Sequence, residues 1–476
     1  MEQQQHSRRW WILALLGLAQ LMVVLDATIV NIALPSAQHD LGFSNDARQW
    51  IVTGYALAFG SLLLLGGRLG DMFGRKRTLI AGLLGFALAS AIGGAAQSFG
   101  VLVGARALQG VFGALLAPSA LGLLTTTFSD PRERGKAFGI YGAIAGGGGA
   151  IGLLLGGILT EYLSWRWCLY VNLAFAVPAA LGALALLSGT AHAAGTRIDI
   201  PGTLTASAGV FSLVFGFSRA ETAGWGAPVT VGFLAAGLIL LAAFVAIERR
   251  VKNPLLPLRV VADRNRGGAY LAAGLVAIGM FGVFLFLTYY LQQTLGFSPV
   301  ETGLAFLPMV AGIMLMATTS TAKLLPRFGA RPLIPTGMTL AAAGMVYLTG
   351  IGLDSSYAAD VLPGLVVMGL GIGLVMAPAM NTATAGVDPK DAGVASAMVN
   401  TAQQVGGSIG TALLSSIAAS AAKSFAGPLP LAAVHSYTTA FWWTAAIFAV
   451  SAIATALLLR SGAPATSPAG EPVFAH

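Results

Sequence analysis

Charged residues are scarce in this chain of 476 residues. Asp, Glu, Lys and Arg make up 9% of it, whereas hydrophobic residues make up 56%. Soluble domains usually carry about a quarter charged residues. A soluble fold of this length could not bury so much apolar surface. The composition therefore excludes a soluble protein and indicates one that lies in a lipid bilayer.

Cysteine and histidine are also rare, and this restricts the chemistry. The single cysteine, Cys168, excludes a disulfide framework or a cysteine metal site within one chain. The five histidines are scattered without metal-ligand spacing. The sequence has no G-x-x-x-x-G-K-[ST] loop, so it is not an ATP-driven pump. We expect no cofactor, no metal site, no catalytic residues and no enzymatic activity.

Long apolar runs are what the sequence does contain. A helix needs about 20 mostly apolar residues to cross the hydrocarbon core. Runs of this kind predict an all-α integral membrane protein with 14 transmembrane helices. The predicted spans are 10–32, 50–69, 78–97, 100–124, 137–159, 168–187, 202–217, 229–247, 268–291, 302–324, 333–353, 361–383, 393–421 and 436–459.

The basic residues are distributed unevenly between the loops. If the N-terminus is cytoplasmic, 21 of the 26 Lys and Arg residues fall in inner segments and four in outer ones. Because cytoplasmic loops are enriched in Lys and Arg, this predicts a multi-pass protein of the bacterial inner membrane with both termini cytoplasmic. The basic residues lie in short loops and not on one polar face, so we expect no nucleic acid partner.

The predicted spans divide into two halves. We expect a six-helix bundle in 1–190, two additional helices with a basic cytoplasmic linker in 191–266, a second six-helix bundle in 267–460 and a cytoplasmic tail in 461–476. A faint repeat supports this division, since GRLGDMFGR follows the second span and KLLPRFGAR follows the tenth. Internal repeats around a central site are typical of transporters.

The loop after the second span combines glycines with both signs of charge. Glycines allow a tight turn and close helix approach. A carboxylate set among basic residues can latch one bundle to the other through charge-assisted bonds and helix-end dipoles. An ordinary positive-inside loop is the alternative. The candidate gating residues are Gly67, Arg68, Gly70, Asp71, Gly74, Arg75 and Lys76.

Two charged residues lie inside predicted spans, where charge is costly and usually functional. Asp26 is about 24 Å along the first span from residue 10, and Arg106 is about 9 Å from the outer end of the fourth. These positions have a similar depth, so the two side chains could pair or exchange a proton. The alternatives are a capping role for Asp26 and a purely structural pair.

Several motifs together resemble a known family. They are LDATIVNIALP at 25–35, which contains Asn31; GRLGDMFGRKR at 67–77; RALQG at 106–110, which contains Gln109 and Gly110; and SWRW at 164–167. Over residues 10–460 the chain resembles the 14-span drug–proton antiporter branch of the major facilitator superfamily. The resemblance implies two six-helix bundles, alternating access, and export driven by protons through Asp26 and Arg106.

The fifth span departs from that family's antiporter motif. Leu153 stands where the motif has a proline that would kink the helix. The small residues of this span still allow close helix packing and could seal a leak path. Plain helix packing is the alternative. The residues concerned are Gly142, Gly146, Gly152, Gly156 and Gly157.

The later half holds the candidate substrate cavity. It contains 10 of the 13 methionines, and methionine surfaces repack around varied apolar ligands. Methionine also fills cores, and Asn or Gln also join helices, so each assignment has a structural alternative. The candidate polar cavity residues are Tyr289, Gln292, Asn381, Asn400 and Gln403.

These features predict proton-coupled export of a hydrophobic small molecule, such as an antibiotic or drug. The expected partners are that substrate, protons and the lipid bilayer. An uptake symporter on the same fold is the first alternative. A membrane scaffold or sensor is the second, but it needs neither deep charge nor a gating loop. The sequence leaves the oligomeric state open, and a monomer is compatible with it.

Overall fold

A computed structural model describes residues 2–44, 47–128, 130–187, 199–251, 254–385, 387 and 392–460. Within these residues all regular structure is helical, which confirms the predicted all-α class. Fourteen long helices occur in the described chain, one for each predicted span. They are α1 Glu2–Leu41, α2 Gln49–Phe73, α3 Arg75–Gly94, α4 Phe99–Thr127, α5 Pro131–Tyr162, α6 Trp167–Leu186, α7 Ile200–Ala223, α8 Pro228–Glu248, α9 Arg264–Tyr289, α10 Pro299–Thr319, α11 Ala330–Leu348, α12 Leu362–Thr384, α13 Ala392–Ser424 and α14 Leu429–Leu458.

Twelve of these helices are long and apolar enough to cross a membrane by length and composition, counted over the described residues. The other two are α5 and α11. Each packs among membrane-length helices, α5 against α1 and α10, and α11 against α12 and α14. A total of fourteen spans is compatible with this packing and stays a prediction.

The helix ends follow local signals. Ser298 and Glu301 form a reciprocal capping box at the start of α10, which satisfies two orphan backbone donors. Gly74, with φ of 90°, separates α2 from α3 in a conformation that favours glycine. Three short π-helical turns lie at 290–294, 320–324 and 357–361. The expected spans were shorter than several of the helices: α1 continues past residue 32 to Leu41 with Pro35 inside it.

The two halves of the chain pack in the same way. In the first bundle α1 contacts α5 and α6, α4 contacts α2 and α3, and α3 contacts α6. In the later bundle α9 contacts α13 and α14, α12 contacts α10 and α11, and α11 contacts α14. The second pattern is the first one shifted by eight helices, so the internal repeat suggested by the sequence extends to the packing.

The contacts between the bundles also come in equivalent pairs. α5 packs against α10, and α2 packs against α13. The added helices α7 and α8 form a hairpin, and α7 lies against both α2 and α13. We call the end of the molecule that carries the loop 67–77 the basic end, and the other the opposite end.

Candidate functional site

Asp26 on α1 and Arg106 on α4 meet inside the first bundle. Arg106 Nη1 lies 2.6 Å from Asp26 Oδ2. The two side chains are 2% and 0% exposed, respectively, so neither charge is screened by solvent. The pairing expected from their similar depth in the sequence is therefore present in the structure.

Uncharged polar groups complete the surroundings of the Asp26 carboxylate. Asn172 Nδ2 donates to Asp26 Oδ1 at 2.7 Å, and Gln109 Nε2 donates to the same oxygen at 3.0 Å. Gln109 also accepts from Arg106 Nη1 at 2.7 Å and donates to Ser90 Oγ at 2.7 Å. The network joins α1, α3, α4 and α6, and we call these five residues the Asp26 network.

Arg106 has further partners on α2. Its Nε donates to the carbonyl oxygen of Ile51 at 3.3 Å, and its guanidinium carbon lies 4.5 Å from the centre of the Tyr55 ring. A buried ion pair offsets its desolvation only when the geometry is good and the remaining donors and acceptors are satisfied. Both oxygens of Asp26 meet that condition. Asn172 Oδ1 and Tyr55 Oη, beside the pair, are buried without a hydrogen-bond partner.

Asn172 and Ser90 were not among the residues that the sequence singled out. Both are fully buried, and both lie in otherwise apolar spans, Asn172 on α6 and Ser90 on α3. A lone polar residue in an apolar span is a usable signal, because such side chains commonly bond to another helix. The sequence does not say which helix, and so their link to Asp26 needed the structure.

A small cavity lies beside Arg106 toward the opposite end. Its volume is about 10 Å³, and its wall includes Val30, Leu34, Leu102 and Trp165. A buried water needs a comparable volume and two to four polar partners. The wall of this cavity is almost wholly apolar, and the Asp26 carboxylate behind it is fully buried.

Contacts between the bundles close the opposite end. Tyr289 Oη donates to Gln38 Oε1 at 2.7 Å, and Gln292 Nε2 donates to the Ile32 carbonyl oxygen at 3.1 Å. A third contact runs from the backbone N–H of Val300 to Glu161 Oε2 at 3.0 Å. Outside these contacts an open cavity of about 420 Å³ is lined by Pro35, Ser36, His39, Gln292, Gln293, Phe297 and Pro299.

The predicted cavity residues fall into two groups. Tyr289 is fully buried and Gln292 borders the open cavity, both where the later bundle meets α1. Asn381 is exposed and bonds within its own helix, and Gln403 Nε2 lies 3.9 Å from the sulfur of Met376. Asn400 is half-buried on α13. No hydrogen bond joins the two groups among the described residues, and a shared substrate cavity stays a prediction.

Two basic residues of the loop at the basic end bond to backbone carbonyls of the first bundle, and the gating role of the loop stays a prediction. Arg75 Nη1 donates to the Gly122 carbonyl at 2.7 Å, and Lys76 Nζ donates to the Leu184 carbonyl at 3.0 Å. Helix C-termini attract cations. The Leu184 carbonyl belongs to the last turn of α6, and the Gly122 carbonyl lies five residues before the end of α4. Both contacts therefore lie within the first bundle and do not latch it to the other one.

Arg68, one of the predicted gating residues, reaches outside the first bundle. Its Nη2 donates to the Pro254 carbonyl at 3.3 Å, in the linker that follows α8. The side chain of Asp71 lies outside the described residues. The loop glycines lie against α4, since an added methyl would lie 3.5 Å from Pro118 Cβ at Gly67 and 3.2 Å from Ser119 Oγ at Gly70.

Glycines of α5 lie at its contacts with two neighbouring helices, α1 and α10. A methyl at Gly156 would lie 3.0 Å from the Ile29 carbonyl oxygen of α1, and one at Gly157 would lie 2.7 Å from the Pro299 oxygen of α10. Gly152 also faces α1, whereas the surroundings of Gly142 and Gly146 lie outside the described residues. Leu153, at the position of the family's proline, is fully buried.

The remaining motif residues lie at helix contacts. A methyl at Gly110 would lie 2.3 Å from the Tyr55 carbonyl oxygen, so glycine is what allows α4 to approach α2. Asn31 Nδ2 donates to the Ala27 carbonyl at 3.0 Å within α1. Its Oδ1 is buried and has no hydrogen-bond partner, which leaves one acceptor available beside the bundle interface.

The family of the chain follows from one comparison. The model of the Major Facilitator Superfamily matches residues 16–411. The chain belongs to the Major Facilitator Superfamily. It is therefore a multi-pass membrane transporter that carries a small molecule, and not an enzyme.

Curated members of the superfamily align over most of the chain. It is 51% identical to the puromycin resistance protein pur8 of Streptomyces alboniger, over 97% of this chain and 94% of that protein. It is 40% identical to the cephamycin export protein CmcT of Amycolatopsis lactamdurans, over 84% of this chain and 83% of that one. The resemblance to the drug–proton antiporter branch is confirmed.

A solved structure supports the fold independently. The chain is similar to an auto-inhibited peptide transporter of the POT family, with a TM-score of 0.70 and 14% identity. The similarity covers 95% of this chain and 96% of that one. At this identity the likeness supports the major facilitator fold alone.

Proposed function

We propose that this transporter exports hydrophobic antibiotics from the cell in exchange for protons. The observation that carries the proposal is the buried pair of Asp26 and Arg106 with its polar network. A charge inside a membrane span is expensive and is functional by default. The names of the similar proteins, a puromycin resistance protein and a cephamycin export protein, supply the substrate class.

In this mechanism Asp26 carries the proton and Arg106 responds to it. When Asp26 is ionised, the guanidinium of Arg106 holds it. Protonation would weaken that ion pair and release Arg106, because only the carboxylate attracts the cation strongly. Since the network connects four helices of the first bundle, its charge state would bias how that bundle packs against the later one.

The closed contacts at the opposite end belong to one of two alternating states. Separation of Tyr289 from Gln38, and of Gln292 from Ile32, would open a path from outside to the small apolar cavity beside Arg106. The glycines of α5 would let α1 and α10 close again without a gap. The loop 67–77 would hold the basic end through Arg68.

The proposed orientation has both termini in the cytoplasm of a bacterium and the basic end facing inward. The distribution of Lys and Arg supports it, with 21 inner and four outer residues. We propose the same division of the chain as above, with two six-helix bundles and α7 and α8 between them. The residues 188–198 and the tail 461–476 lie outside the described residues.

Substrate charge follows from the positions of the acids. Asp26 is the buried acid at the centre of the described bundles, and it is engaged by Arg106, Gln109 and Asn172. A cation in the low-dielectric centre needs a carboxylate to meet it. We therefore propose neutral, zwitterionic or weakly anionic hydrophobic substrates, with dicationic dyes as poor ones.

Uptake into inverted membrane vesicles tests this function. Vesicles that contain the transporter, energised to be acidic inside, should accumulate puromycin or another antibiotic from a panel, and a protonophore should abolish the accumulation. Vesicles without the transporter are the control. Accumulation in right-side-out vesicles alone, driven by protons entering with the solute, would instead identify an uptake symporter.

A further inference from the structure

Two buried carboxyl groups at the basic end take no part in the function proposed above. Asp199 precedes α7 and Glu248 ends α8, and each residue is 4% exposed. Beside them lies a small apolar cluster formed by Ala206, Phe244, Leu255 and Leu256. Burial of two acids in such surroundings is costly unless the charges are neutralised.

The oxygens of these groups are partly engaged by backbone donors. Asp199 Oδ1 accepts from the Gly202 N–H at 2.9 Å and caps α7. Glu248 Oε2 accepts from the Leu256 N–H at 3.0 Å, and Glu248 Oε1 accepts from the Leu255 N–H at 3.3 Å. The carboxylate of Glu248 therefore holds the linker chain that follows α8 through two consecutive amides.

The second oxygen of Asp199 has no backbone donor, and it lies near the carboxyl group of Glu248. Asp199 Oδ2 is buried and has no partner that donates a hydrogen bond. A methyl placed on Gly202 would lie 2.1 Å from Asp199 Oδ2 and 2.9 Å from Glu248 Oε1, so both oxygens border one point. The two oxygens are therefore no more than 5.0 Å apart, the sum of those two distances, and a small shift of either side chain would let the carboxyl groups hydrogen-bond to each other. Such a bond requires a proton, because two carboxylates have no donor.

In the described part of the chain, no basic side chain neutralises the two acids in place of that proton. The described residues include no Lys, Arg or His that forms a salt bridge with either acid. The basic groups on the surrounding elements are Arg68 on α2, which bonds to the Pro254 carbonyl, and Arg249 and Arg250 just after α8, which are exposed. The adjoining first turns of α7 and α13 carry no charged side chain.

The linker that Glu248 holds lies where the two bundles meet. Leu255 and Leu256 belong to a cluster that also includes Leu64 of α2 and, on α13, Val394 and Met398. The linker is thus packed against one helix of each bundle at the basic end. A change that frees it would change the contact between those bundles.

We propose that Asp199 and Glu248 form a second proton-binding site, in which a single shared proton fastens the linker across the basic end. Loss of that proton leaves two adjacent negative charges, which repel each other. Glu248 then turns away from the linker amides, and Leu255 and Leu256 leave their cluster. This role rests on the proposed exporter, since it makes the release of the basic end depend on cytoplasmic pH.

Labelling of a cysteine in the linker tests the site without measuring transport. In Leu255→Cys the new thiol replaces a side chain that is 8% exposed, and the native Cys168 is buried and adds little background. The rate of reaction with a membrane-impermeant maleimide would be divided by the rate for Phe328→Cys, an exposed reference at the basic end. The ratio removes the effect of pH on thiol reactivity itself.

We expect this ratio to rise about tenfold between pH 6 and pH 9 as the shared proton leaves. Adding Glu248→Gln, or separately Asp199→Asn, should hold the ratio within about twofold, because a neutral amide needs no proton to donate a hydrogen bond. Asparagine also retains the cap on α7. Asp354→Asn, which removes an exposed acid that is not part of the linker or of the contacts between the bundles, is the matched control and should keep the full rise.

The proposal would be overturned if the ratio did not depend on pH. It would also be overturned if the ratio rose as much in the two amide variants as in Leu255→Cys alone. The outcome is separate from that of the export assay. Labelling that depends on pH in a chain that exports nothing would leave the site standing and remove the proposed function. Export by a chain whose labelling ratio does not change with pH would support the proposed function and remove the second proton-binding site.

Discussion

The two six-helix bundles share a packing pattern but differ in what they bury. The first bundle encloses Asp26 and Arg106, whereas the described part of the later bundle buries no charged residue. In place of such a pair the later bundle has fully buried methionines, namely Met309, Met338, Met345 and Met368. One scaffold therefore supports two interiors, one with a buried ion pair and one whose described part has no buried charge and several buried methionines, which adapt readily to their neighbours.

What the bundles have in common is a close backbone approach at equivalent helix pairs. On α4, a methyl at Gly110 would lie 2.3 Å from the Tyr55 carbonyl oxygen of α2. On α12, a methyl at Gly369 would lie 2.3 Å from the Met309 carbonyl oxygen of α10. The repeat has kept the contacts that hold the helices together, while the polar groups between them differ.

The largest expected effect comes from the charge that only the first bundle contains. Removing one partner of a buried ion pair lowers the free energy of unfolding by roughly 3–5 kcal/mol, because the other charge is left buried and unpaired. Since Asp26→Asn also removes the proposed proton carrier, it should lower proton-driven export by about a hundredfold or more. Substrate binding should remain measurable, because the fold of the later bundle is unchanged. The control is Asp354→Asn, an exposed acid of the later half. Normal export by Asp26→Asn would make the pair merely structural.

The next effect should be equal in the two bundles. Gly110→Ala and Gly369→Ala each push a methyl against a backbone oxygen, and overpacking of this kind costs about 1–3 kcal/mol. We expect both variants to lower the melting temperature in detergent by a similar amount. Gly104→Ala, on α4 with nothing within 4 Å, should leave it unchanged. A loss in one bundle alone would contradict the packing repeat.

A smaller effect is expected at Asn172. Its amide donates to the Asp26 carboxylate at 2.7 Å, and hydrogen bonds to charged groups contribute about 1.5–3 kcal/mol. Because Arg106 and Gln109 still hold the carboxylate in Asn172→Leu, this variant should lower proton-driven export by about tenfold, less than Asp26→Asn. Asn172→Gln is the conservative comparison, and it should lose less because it keeps an amide donor. Export by Asn172→Leu at the rate of the parent protein would show that this hydrogen bond is not needed for transport.

The smallest effect should be found in the methionine core of the later bundle. Met368→Leu exchanges side chains of similar volume, a change that usually costs less than about 1.5 kcal/mol. Export of a given antibiotic and the melting temperature should both stay close to those of the parent protein. The ranking of substrates across the panel is the sensitive measurement here. A reversal of that ranking would bring Met368 from the core into the substrate path.

Much of this architecture could be predicted from the order of residues alone. Apolar runs of about 20 residues specify helices wherever a bilayer is the solvent, because each backbone group must then bond within its own segment. The pairing of Asp26 with Arg106 also followed, since depth along a helix depends only on residue count. The glycines of α5 are predicted packing positions for another local reason, since a residue without a side chain lets a neighbouring helix approach closely.

Other features depended on which helices lie side by side, and no local pattern specifies that. In the sequence Asn172 is a single polar residue in an apolar span. Its bond to Asp26 is seen only when α6 lies beside α1 in the structure. Arg75 and Lys76 bond to backbone carbonyls of α4 and α6, which only the packing of those helices places beside the loop. Asp199 and Glu248 are 49 positions apart in the chain. Only the α7–α8 hairpin brings their carboxyl groups together.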